Sequence, residues 1–178
     1  MKHFTFIARI FRNATRLTQA AALLLPLAVS FAACNHIDDK RTPMAPVWIS
    51  FNTEHDWTEY GTPGALDYKT FIKGKIVPGG LPQTALMQTG YGGVLLVADI
   101  NARPVAYDLS CPVENSKDIL IEVDDNTHDA FCRKCKSRYS IFSNYGYPVS
   151  GPAVEKEIGL TKYYVGAGPN GEYRVITR

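Results

Sequence analysis

Gly92-Gly93-Val94-Leu95-Leu96-Val97-Ala98, then Asn101-Ala102-Arg103-Pro104, then Val105-Ala106-Tyr107-Asp108-Leu109-Ser110-Cys111: this stretch decides the fold. The apolar run after the paired glycines has the length of a strand, not of a helix. The Asn-Ala-Arg-Pro segment turns it back into a second strand, and that hairpin delivers Cys111 at a strand end. The same pattern recurs downstream. Ile119-Leu120-Ile121-Glu122-Val123 reads as a strand, Asp124-Asp125-Asn126 as a turn, and residues 127–131 as the return strand that delivers Cys132. Tyr139-Ser140-Ile141-Phe142 leads away from the cysteine loop.

Farther out, Lys162-Tyr163-Tyr164-Val165 and Tyr173-Arg174-Val175-Ile176 flank Gly168-Pro169-Asn170-Gly171. Proline at the second turn position with Asn-Gly after it predicts a tight hairpin. Toward the amino terminus, Val47-Trp48-Ile49-Ser50-Phe51 and residues 68–72 are short strand candidates, and Pro78-Gly79-Gly80-Leu81-Pro82 is a turn cluster. Residues 55–65 have no clear period and contain Gly61, Pro63 and Gly64, so they are expected as loop. No amphipathic helix stands out beyond the amino-terminal segment. Many short strands with Gly/Pro turns predict an all-β domain.

The first 33 residues have a different character. Lys2, Arg9, Arg12 and Arg16 make a basic start without an acid, and residues 17–33 are uncharged with Ala20-Ala21-Ala22-Leu23-Leu24-Leu25 at their centre. The segment closes with Phe31-Ala32-Ala33-Cys34. Small residues before a cysteine resemble a bacterial lipoprotein signal, which implies removal of residues 1–33 and lipidation of Cys34. A retained signal anchor is the alternative, but Gln19 and Pro26 interrupt the run, which is short for a span of ~20 apolar residues. Four of the 19 lysines and arginines lie in this segment and none of the 17 acids does, so the remainder is net −2 where the whole chain is +2. The basic balance thus belongs to targeting and gives no support to a nucleic-acid partner. The expected organisation is a signal peptide at 1–33, a lipid-anchored polar stalk and linker at 34–60, and a domain at 61–178. Asn35 after the cysteine, with Asp38-Asp39 nearby, favours the outer membrane of a bacterial envelope over the inner one.

Cys111, Cys132 and Cys135 then remain, an odd number for an oxidising compartment. Ser110-Cys111-Pro112-Val113-Glu114, Cys132-Arg133-Lys134-Cys135-Lys136-Ser137-Arg138-Tyr139 and Gly151-Pro152-Ala153 follow one another. Over residues 66–178 that order resembles a Rieske iron–sulfur domain, an antiparallel β-sandwich or barrel whose motif is Cys-x-His followed by Cys-x-x-His. The resemblance matches Cys111 and Cys132 to the two cysteine ligands. It places Val113 and Cys135 where the family has histidines, and Lys136 where it has glycine. It implies that Ser137 and Tyr139 hydrogen-bond the cluster sulfur and a ligand cysteine, and that Gly151-Pro152-Ala153 forms the covering proline loop. Valine has no donor atom, so an ordinary two-histidine centre is not expected. A thiolate can replace imidazole at Cys135.

A fourth ligand is still missing. Glu114 is the nearest candidate, with His128 and Asp129 behind it. Three cysteines plus one oxygen or nitrogen donor also suit zinc. The cofactor readings are therefore a [2Fe–2S] cluster with non-standard ligands, zinc, or none. Arg133, Lys134, Lys136 and Arg138 interleave the loop and either favour thiolates, offset an anionic cluster, or simply face water.

Three functions stay open. The first is a lipid-anchored metal or electron-transfer protein with a redox partner. The second is a structural or binding module that has lost the cluster and carries a disulfide at the old site. The third is a thiol–disulfide enzyme using Cys132-x-x-Cys135, which lacks the βαβ setting that motif usually has. No Ser/His/Asp arrangement, phosphate-binding glycine loop or paired-carboxylate signature points to a self-contained enzyme.

Overall fold

The computed structural model describes residues 42–143 and 145–177. In chain order the elements are β1 (Val47–Phe51), α1 (Glu54–Tyr60), β2 (Tyr68–Phe71), β3 (Gln88–Thr89), β4 (Val94–Ala98), β5 (Pro104–Asp108) and β6 (Ser110–Cys111). There follow β7 (Ser116–Asp124), β8 (Asp129–Cys132), β9 (Arg138–Ser140), β10 (Tyr147–Ser150), α2 (Pro152–Glu155), β11 (Lys162–Ala167) and β12 (Tyr173–Ile176). The protein is all-β, as its strand-length apolar runs predict. The expected signal peptide, Cys34 and the start of the stalk lie outside the described residues.

The strands form two antiparallel sheets. One runs β2-β4-β5-β11-β12-β1-β3 and curls into a nearly closed barrel. Its two edges approach where the backbone N–H of Lys73 donates to Thr89 Oγ1 at 3.1 Å. The other runs β10-β9-β8-β7-β6, a half-barrel that carries all three described cysteines on or beside its strands.

The hairpin of β4 and β5 is the element the two layers share. Every residue of β4 is fully buried. Val94 and Leu96 point into the barrel with Phe51, Phe71 and Val175. Leu95 and Val97 point the other way, into a core with Tyr107, Ile121, Tyr139 and Ile141. A strand buried on both faces has no solvent side to mark with polar residues, which is why its sequence is continuously apolar. By contrast β1 keeps Val47, Ile49 and Phe51 inside and leaves Trp48 40% exposed, the alternation of a strand covered on one face. Tyr107 ties the layers together by donating its hydroxyl to the carbonyl of Ile141 at 3.2 Å.

The junction between sheets is built on Asp108, a fully buried carboxylate at the end of β5. Its oxygens accept from the backbone N–H groups of Tyr91 at 3.0 Å, Gly92 at 3.2 Å and Ser110 at 2.7 Å. They also accept from Ser110 Oγ at 2.5 Å and from the hydroxyl of Tyr163. Burial and this hydrogen bond push the Tyr163 phenol well above its ordinary pKa, so it stays a donor. One side chain thus fixes the turn into β4, the start of β6 and the neighbouring strand β11.

Two expectations are corrected. Residues 55–65, expected as loop, contain α1. Thr53 Oγ1 accepts from the backbone N–H of Asp56 at 3.0 Å, and the Asp56 carboxylate accepts from the Thr53 N–H at 3.2 Å. This reciprocal cap starts a helix too short to show a period. Its Trp57 stacks on Tyr173 with ring centroids 3.8 Å apart and meets Phe51 edge-on. Residues 47–60 consequently belong to the folded body, where a linker was expected as far as residue 60. The short strands β3 and β10 had no apolar alternation to announce them either.

Replacing Asp108 with alanine would orphan five donors in the interior, where each unsatisfied group costs roughly 1–3 kcal/mol. We expect Asp108→Ala to lose at least about 3 kcal/mol of stability in urea denaturation, and Asp108→Asn to lose less, because the amide oxygen keeps part of the acceptor capacity.

Candidate metal centre

Two loops of the half-barrel converge. Cys111 ends β6, Cys132 ends β8, and Cys135 lies in the turn between β8 and β9. Their sulfurs all lie within 4.8 Å of one another. Cys111 Sγ and Cys135 Sγ are 3.5 Å apart, and all three are free thiols, with no disulfide among the described residues. Cys111 and Cys132 are fully buried and Cys135 is partly exposed.

Backbone geometry makes this convergence. In the second loop the N–H of Lys136 donates to the carbonyl of Cys132 at 2.9 Å, and the N–H of Cys132 donates to the carbonyl of Ser137 at 2.9 Å. Closing that turn puts Lys136 in the left-handed region at φ 61°, the conformation for which glycine is the usual choice. In the first loop the N–H of Asn115 donates to the carbonyl of Cys111 at 2.9 Å, and Asn115 has φ 47°.

A third segment packs against Ser137 in the second loop. Gly151 has φ +80°, and a Cβ there would stand 2.8 Å from Ser137 Cα, so conformation and space both require glycine. The chain can then close down, and the backbone N–H of Ala153 donates to Ser137 Oγ at 3.0 Å. Pro152 opens α2, where a missing N–H costs nothing.

The hydroxyls and the field divide the thiols. Burial pushes the Cys111 thiol up to about 12, against a backbone N–H from Glu114 that favours its thiolate. Cys135 goes the other way. Partial burial opposes its ionisation, but the hydroxyl and N–H of Ser137 and the two neighbouring thiols hold it below the ordinary value. The Tyr139 hydroxyl lies 3.9 Å from Cys111 Sγ and is pushed far up by burial and by the charge of Cys111, so it remains a protonated donor. The Tyr139 and Ser137 hydroxyls therefore lie beside the sulfurs of Cys111 and Cys135.

The other expected donors are placed differently. The Glu114 carboxylate is outside the sulfur cluster and pairs with Lys134 Nζ at 2.6 Å. His128 is exposed, with its ring edge-on to Phe142 at 6.1 Å, and Asp129 lies 3.6 Å from Arg138. Neither joins the cysteines. Val113 packs against the core shared by the sheets. The basic loop is largely neutralised, with Arg133 on Glu122 at 2.6 Å and Arg138 on Asp124 at 2.5 Å. Asp108 is the residue the sequence reading missed; the signal was an acid inside the apolar run Val105-Ala106-Tyr107-Asp108-Leu109.

Among the described residues, no helix is long and apolar enough to cross a membrane. No family model, curated protein or solved structure matches the chain.

A cluster of three thiols this close can bind a metal ion through soft donors. Without metal, exposure and thiolate character both single out Cys135. Brief iodoacetamide treatment of the reduced, metal-free protein should label Cys135 first, read by peptide mass spectrometry, with Cys111 and Cys132 at least about tenfold slower.

Proposed function

We propose that the chain is an envelope-anchored thiolate metal protein on a Rieske-like scaffold, in which Cys111, Cys132 and Cys135 hold one tetrahedral ion. The carrying observation is the mutual distance of the sulfurs, within 4.8 Å for every pair. Ligands bonded at ~2.3 Å to one tetrahedral ion stand ~3.8 Å apart. In a two-iron cluster with Cys135 on the second iron, the Cys111 and Cys135 sulfurs would bind different irons and stand farther apart than two ligands of one ion. The observed 3.5 Å favours a single ion.

The scaffold reading rests on the residues around the sulfurs. Ser137 and Tyr139 present hydroxyls to them, and the Gly151-Pro152-Ala153 segment bonds to Ser137 through the Ala153 N–H. Val113 has no donor, which removes the position where the family's first histidine would stand. The chemistry of the donor set fits zinc, which accepts three cysteines and one further ligand. Zinc supplies no redox step, whereas iron held by the same thiolates would let the protein pass electrons to a partner. Lipidation of Cys34 rests on the basic start, the apolar run and Phe31-Ala32-Ala33-Cys34, and the preference for the outer membrane rests on Asn35 and Asp38-Asp39.

Protein purified without oxygen should carry one ion per chain by elemental analysis. After reduction it should lack the paramagnetic resonance signal of a two-iron cluster. Serine in place of any one of the three cysteines should weaken zinc binding by roughly a hundredfold or more in a chelator competition, given binding energies of order 10 kcal/mol for structural zinc. For the anchor, Cys34→Ser should move the protein from membranes to the soluble fraction; unchanged sedimentation with membranes would rule lipidation out as its attachment.

A further inference from the structure

The two cysteine loops repeat one backbone plan. In each, the N–H four residues on closes onto the cysteine carbonyl, Asn115 onto Cys111 and Lys136 onto Cys132, both at 2.9 Å. In each, that fourth residue is left-handed, at φ 47° and 61°. The third residue after the first cysteine is therefore equivalent in the two loops. In the second it is Cys135, already among the sulfurs. In the first it is Glu114.

Glu114 has a further oddity for a loop acid. Its side chain is only 15% exposed, and its partner Lys134 comes from the opposite loop at 2.6 Å. Lys134 sits between the two cysteines of its own loop in sequence. A cation from the second cysteine loop thus already holds the Glu114 carboxylate.

We propose that Glu114 is the fourth ligand of the centre and that Lys134 is its built-in competitor. The inference rests on the single-ion reading above. Binding breaks the ammonium–carboxylate contact, replaces the waters of the hydrated ion with one metal–oxygen and three metal–sulfur bonds, and releases the displaced water and the thiol protons to solvent. Lys134, 63% exposed, then turns to water.

The test uses cobalt(II) as the probe, because its visible charge-transfer bands count thiolates. The native protein should show three thiolates. Glu114→Cys should show four and bind more tightly. Glu114→Gln should keep three thiolates, weaken binding by about tenfold or more, and admit added azide, which the native site excludes. Lys134→Met should change affinity more favourably in the native chain than in the Glu114→Gln background, by about two- to fivefold, the worth of an exposed ion pair. Three thiolates in Glu114→Cys, or the same Lys134→Met effect in both backgrounds, would overturn the proposal while leaving the three-cysteine site intact. No cobalt binding by the native protein would overturn both.

Discussion

The molecule turns on a buried carboxylate. Asp108 accepts from the turn that starts β4, from both donors of Ser110, and from Tyr163 on β11. A carboxylate is tolerated in a dry interior only when its lone pairs are filled, and here the filling donors come from three segments at once. The consequence reaches the centre directly, since Ser110 precedes Cys111. The barrel fixes Asp108, Asp108 fixes Ser110, and Ser110 sets where the first sulfur points.

The half-barrel solves a second problem of the same kind. Cys111 and Cys132 are fully buried, while the segment from Arg133 to Arg138 carries four cations. Three of those cations pair with carboxylates of β7, β8 or the facing loop. The exposed Arg133–Glu122 pair is worth little by itself. The effect of these pairs is geometric, because they leave the interior side of the turn to Ser137, Tyr139 and the thiols. The Ala153–Ser137 hydrogen bond then closes the remaining side.

Much of this was legible in the chain. The runs at 94–98, 105–109, 119–123 and 162–165 marked strands because burial of one or both faces had to be written as apolar residues. The convergence of Cys111, Cys132 and Cys135 was legible because each cysteine-bearing segment follows a strand candidate, 105–109 for the first and 127–131 for the second. What escaped had no hydrophobic period to betray it. α1 is set by a Thr53–Asp56 capping box and one tryptophan, and β3 and β10 are too short to alternate. At Asp108 the local signal was only an acid inside an apolar run. Its partners, like the pairing of Glu114 with Lys134, depend on which segments face each other, a property of topology that no local pattern records.

X-ray absorption at the metal edge, on protein purified without oxygen, tests the central claim most directly. One tetrahedral ion predicts a shell of three sulfurs near 2.3 Å, one lighter donor, and no metal–metal scattering. A metal neighbour bridged by sulfide, or nitrogen in place of the Cys135 sulfur, would contradict the single-ion centre.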